Sequence, residues 1–153
     1  MDMFEEAVLR YLCGPPERFV SAQFNIPWDG SKGGSCPDFL VLDFADNTVY
    51  VVEVTSAADK SNVLSRVDKR ETRWFAPLRQ HFSRLSPIFT EWDYHVTVFV
   101  RNEECDAAQK RLDDLRDVSV ISLDTVVFSW RWKWKGSRPS NPLREPSKEK
   151  HAG

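Results

Sequence analysis

Two short apolar runs, Phe39-Leu40-Val41-Leu42 and Val49-Tyr50-Val51-Val52, constrain the fold of this chain more than any other feature, and Asp46-Asn47 separates them. Both have strand length, β-branched and aromatic residues dominate the second, and Asp-Asn supplies turn chemistry between them. The pattern predicts an antiparallel hairpin, in which the start of the first strand lies beside the end of the second. Pro37-Asp38 heads the first run and Glu53-Val54-Thr55 closes the second. Asp38 and Glu53 are therefore expected to converge at one sheet edge, two acids close enough to share a divalent cation.

The elements around this hairpin follow from periodicity. Phe4, Val8, Tyr11 and Leu12 recur at helical spacing, so residues 3–13 read as a helix stopped by Gly14-Pro15-Pro16. Residues 18–25 alternate loosely and read as a strand, and the glycine-rich loop 29–35 leads into Pro37. Residues 59–76 read as a long helix with Asp59 as its N-cap and Val63, Val67, Trp74 and Leu78 along one stripe; Pro77 is expected to kink it or end its first part. A strand at 94–100, an amphipathic helix at 103–115, a strand at 118–121 and one or two helical turns from 123 complete the order αβββαβαβ. The expected fold class is α/β, a mixed central sheet flanked by helices.

At Pro37-Asp38, Glu53-Val54-Thr55 and this element order, the chain resembles the PD-(D/E)xK nuclease superfamily, whose restriction-endonuclease-like core is a mixed sheet between helices. The resemblance implies a metal-dependent nuclease in which Asp38 and Glu53 hold Mg²⁺, with Mn²⁺ able to substitute. It also implies a lysine two residues after the glutamate. Here that position is Thr55, whose hydroxyl donates one hydrogen bond but carries no charge and is no base at neutral pH. A basic residue from the following helix, Lys60 or Lys69, can stand in for it, or the site has lost hydrolysis and kept binding. Relatives often draw a third carboxylate from the first helix. Glu5 lies within the apolar arc of that helix and Glu6 opposite, so Glu5 is the candidate, unless both acids only complement the helix dipole.

Arg66, Arg70 and Arg73 share a helical face with Lys69 and are expected to be solvent-facing and available to phosphates. Charge is segregated to match: residues 1–58 carry three basic against nine acidic groups, and residues 118–153 seven against three. Such a distribution can support phosphate binding despite an isoelectric point of 5.9, and the partner expected from the resemblance is nucleic acid, DNA more than RNA. Trp130-Arg131-Trp132-Lys133-Trp134-Lys135 fits either an edge strand or a base-stacking segment.

At 153 residues and 41% hydrophobic, the chain can bury a core as one domain, read as 1–135, with a polar, proline-bearing tail at 136–153 expected to be disordered. Three scattered cysteines without CxxC spacing suggest reduced thiols, and no apolar run has membrane-spanning length. A cytoplasmic location follows as an expectation, and a homodimer is the expected way for so small a domain to span a duplex. The alternative function is a catalytically silent module of the same fold that binds nucleic acid or protein.

Overall fold

The computed structural model describes residues 1–28 and 33–128. The tryptophan-rich stretch 130–135, the tail 136–153 and part of the glycine-rich loop lie outside the described residues.

Helix α1 (Met3–Leu12) begins where Asp2 accepts from the Phe4 and Glu5 amides and Glu5 accepts in return from the Asp2 amide, a complete capping box. The main sheet has five strands in the order β1 (Arg18–Ala22), β4 (Phe39–Asp43), β5 (Thr48–Thr55), β6 (Asp93–Val100), β7 (Val118–Ser122). The first three are antiparallel and the last three parallel. The expected hairpin is present, with Phe39 opposite Val52 and Asp43 opposite Thr48. Its turn includes Asn47 at a φ of 53°, a left-handed conformation that asparagine tolerates better than most side chains. Two further strands were not expected from the sequence: β2 (Ile26–Pro27) and β3 (Gly34–Ser35) form a small antiparallel ribbon. Each is only two residues long, too short for alternation to show.

The sheet is covered on both sides. Val49, Val51, Val96 and Val98 pack under Val63, Val67, Trp74, Leu78, Ala108 and Leu112. These come from α2 (Ser61–Asp68), the helical segments after it and α4 (Asn102–Leu112). Tyr50, Val52 and Phe99 face the other way, toward Val8 and Leu12 of α1 and Leu123 and Val126 of α5 (Leu123–Phe128). Burial on both faces is why β5 and β6 read as nearly continuous apolar runs. Among the described residues, no helix is long and apolar enough to cross a membrane.

The long helix expected at 59–76 is corrected in three respects. It starts at Ser61 with Lys60 as cap residue, while Asp59 lies one residue further out and accepts from the Ser61 amide. It breaks after Asp68, passes through a π-helical turn at Glu71–Phe75, and resumes as α3 (Ala76–Leu85). Pro77 does not end it, because it sits in the first turn of α3, just after the wider turn. Proline cannot donate to the carbonyl four residues back, which belongs to Arg73. That carbonyl accepts instead from the Trp28 indole Nε1 at 3.4 Å. A π turn inserts about one extra residue, and so rotates the side chains of α3 by roughly 100° relative to a straight helix.

Candidate acid-pair site

Extending the β4/β5 register by one residue past Phe39 and Val52 sets Asp38 opposite Glu53, at the end of the hairpin where the sequence placed them. Cross-strand neighbours share a face, so both side chains point to the side covered by α2. The Asp38 backbone carbonyl accepts from the Gln23 amide at 2.9 Å, and its Oδ2 accepts from the Val54 amide at 2.7 Å. The carboxyl is thereby held against the end of β5. Glu53 is 3% exposed, and its Oε2 accepts from Arg66 Nη2 at 2.9 Å.

The two carboxyls come within hydrogen-bonding reach of each other. Burial pushes the Glu53 carboxyl up to about 7, and the neighbouring Asp38 charge adds to that; Arg66 and, more weakly, Arg73 oppose it. Burial also raises Asp38, against the Val54 amide, which favours its charged form. The pair therefore retains a proton further toward neutral pH than isolated carboxyls do. A group that resists charging in this way is stabilised by a nearby cation.

Glu5 is half-buried in α1, near enough for its charge to raise Asp38, but its Oε2 is engaged by the Asp2 amide. Glu6 is exposed and pairs with Arg10 at 2.9 Å. Among the described residues, no group of three or more His, Cys, Asp and Glu side chains is placed to hold a metal ion. Thr55 follows Glu53 on the same face of β5, half-buried, and its hydroxyl accepts from the Ala57 amide at 3.3 Å. The lysine position thus carries a side chain turned back on its own loop.

The basic residues are distributed differently from the expectation. Lys60 is ion-paired with Glu104 of α4 and Lys69 is exposed at the C-terminal cap of α2; among the described residues neither makes a hydrogen bond or ion pair with the acids. The expectation that Arg66, Arg70 and Arg73 form one solvent-facing row is also corrected. Arg66 reaches Glu53. Arg70 makes a forked pair with Asp117, Nε at 2.7 Å and Nη2 at 2.8 Å. The Arg73 guanidinium lies 5.8 Å from the centre of the Trp28 ring, close enough for its charge to act on Glu53. The π turn removes the regular spacing on which the single face depended. Arg66 and Arg73 each keep a buried Nε without a hydrogen-bond partner among the described residues.

Sequence reasoning missed Arg66 as the cation seated on the acid pair. Its signal was weak: a basic residue one turn into the helix that follows the acid-bearing strand. Trp28 was also missed, because only folding brings it beside Arg73, 45 residues away. The chain has no match among protein-family models, curated proteins or solved structures.

Proposed function

We propose that this chain is a metal-dependent nuclease with a restriction-endonuclease-like core of the PD-(D/E)xK type, acting on DNA. The observation that carries the reading is the acid pair in register at the end of the β4/β5 hairpin, with Glu53 buried and raised to about 7. The donor set fits a hard cation. Mg²⁺ is commonly held by one or two carboxylates while keeping several of its own waters, and Asp38 and Glu53 offer two such carboxylates. When bound there, Mg²⁺ would activate water and neutralise charge on the phosphate under attack.

The chain's own residues have separate tasks in this reading. Asp38 is fixed by the Val54 amide and Glu53 by Arg66, so the two oxygen donors are oriented before substrate arrives. Arg66 takes the charge-offsetting part of the family lysine. It cannot take the lysine's part as a base, since a guanidinium does not lose its proton in a protein. Arg73, with its unmatched Nε, supplies a second cation toward the phosphate.

One observation favours a second reading, a module of the same fold that binds without cleaving. The guanidinium on Glu53 neutralises the acid that would otherwise attract metal, and among the described residues neither Lys60 nor Lys69 forms a hydrogen bond or ion pair with the acids. Incubation of the purified protein with plasmid, linear and single-stranded DNA and with RNA, in Mg²⁺ and in Mn²⁺, separates the two. Metal-dependent cleavage abolished by Asp38→Ala or Glu53→Ala supports the nuclease. Binding without cleavage selects the second reading, and Mn²⁺ binding by calorimetry that survives the double variant refutes the metal assignment.

A further inference from the structure

The two edges of the main sheet differ in how they meet solvent. At one edge, β7 is buried at Ser119, Val120, Ile121 and Ser122; at the other, β1 is exposed at Phe19, Ser21 and Ala22. Natural sheets commonly blunt an open edge with lysine, proline or a bulge. From Arg18 to Ala22, β1 has none of these, and its register with β4 is unbroken. The charge it does carry, on Arg18, is matched within the chain by Asp43.

The direction of the free backbone groups follows from the ladder. The Phe44 amide donates to the Glu17 carbonyl at one end, and the Gln23 amide donates to the Asp38 carbonyl at the other. Bonded pairs alternate along an antiparallel ladder. Phe19 and Ser21 therefore spend their backbone groups on β4, while Val20 and Ala22 turn theirs away from it, where β1 has no neighbouring strand among the described residues. Phe19 is 62% exposed, and its ring stands edge-on to Phe44, 5.5 Å between centres. Phe44 is itself 41% exposed and leans on Trp92, so the open edge is continuous with an exposed aromatic surface.

We propose that β1 pairs antiparallel with β1 of a second copy of this chain, with Val20 on the two-fold axis, joining the two five-stranded sheets into one. The strand is complementary to itself in this register. Val20 lies opposite the second copy's Val20 and exchanges two backbone hydrogen bonds with it. Arg18 falls opposite Ala22 and Phe19 opposite Ser21, so no like charges face each other. The two Phe19 rings become diagonal neighbours on one face, a separation that aromatic side chains can bridge. Each copy uses its open edge once, so the assembly closes as a dimer. The chain's own continuation is a poorer occupant, because the described residues end in α5, which follows β7 and packs against it at the opposite edge. The pairing does not depend on the acid pair being a nuclease site.

Sedimentation velocity of the full chain in EDTA tests it. At about 100 μM the chain should sediment as a dimer in equilibrium with monomer, as an interface at the small end of the size range does. The Phe19→Lys, Ser21→Lys double variant sets like charges directly opposite one another and should weaken dimerisation by ~10-fold or more. Both positions are exposed, so the monomeric variant should melt as the monomeric parent does. In a background carrying Cys13→Ser and Cys36→Ser, which removes the exposed thiols, Val20→Cys should form a disulfide-linked dimer under mild oxidation. The Cα atoms of a hydrogen-bonded antiparallel pair lie about 5.5 Å apart, within disulfide range. Ser65→Cys, exposed on α2, should not cross-link at a comparable rate. A chain that stays monomeric at about 100 μM overturns the proposal, as does a dimer unaffected by the paired lysines. Species larger than a dimer, or cross-linking no faster for Val20→Cys than for Ser65→Cys, overturn it equally.

Discussion

Glu53→Gln is the most informative single perturbation, because it converts a buried, raised carboxyl into an isosteric group that cannot ionise. The folded protein holds the Glu53 proton more tightly than the unfolded chain does, so protonation favours folding. Stability from this source is complete below pH 4.5, is lost as pH rises to about 7, and falls no further above that. A displacement from 4.5 to about 7 corresponds to a loss on the order of 3 kcal/mol. The glutamine variant should therefore match the parent near pH 4.5 and exceed it at pH 8 by up to ~3 kcal/mol, a figure already net of the opposing Arg66 interaction. For a chain of this size each kcal/mol moves the melting temperature by about 2–4 °C. Thermal melts and urea titrations of metal-free protein in EDTA, from pH 4.5 to 8.5, read both quantities. Asp38 is raised as well and should leave a smaller residual slope of the same sign in the variant. A parent–variant difference that does not change with pH would refute the burial argument. Mn²⁺ added at pH 8 should stabilise the parent more than the variant.

Asp43→Ala should cost about 3–5 kcal/mol in urea unfolding, because it removes one member of an ion pair whose two side chains are each 5% exposed and also the acceptor of the Ala45 amide; a cost below 1 kcal/mol would show that the pair contributes little to the fold. Arg66→Met should raise the Glu53 pKa further, visible by carboxyl NMR, and reduce any cleavage by at least ~10²-fold, the scale of a positioned electrostatic group. Lys60→Ala and Lys69→Ala should cleave like the parent, since among the described residues neither forms a hydrogen bond or ion pair with the acids; a large loss in either would restore the migrated lysine. Trp74→Phe should destabilise by about 1–3 kcal/mol, because the indole donates to Ser35 Oγ at 2.9 Å in a fully buried position.

The sequence alone determined the parts of this protein that depend on neighbours in the chain. Apolar run, turn and apolar run dictate the hairpin, and antiparallel register then forces Asp38 and Glu53 together with no information from elsewhere. The side of α1 on which Glu5 lies was readable for the same reason. Tertiary structure alone decided what surrounds the pair. Glu53 is buried because α2 packs over the end of β5, and the same packing brings Arg66 onto it. Lys60 is withdrawn by Glu104, 44 residues away, and Arg70 by Asp117, 47 residues away. The π turn, placed where Pro77 frees a carbonyl for Trp28, turns a regular row of arginines into three separate contacts. Local pattern sets strands and their register because it acts through adjacent residues; the partner of a charge is set by which faces are pressed together, and that is a property of the packed chain.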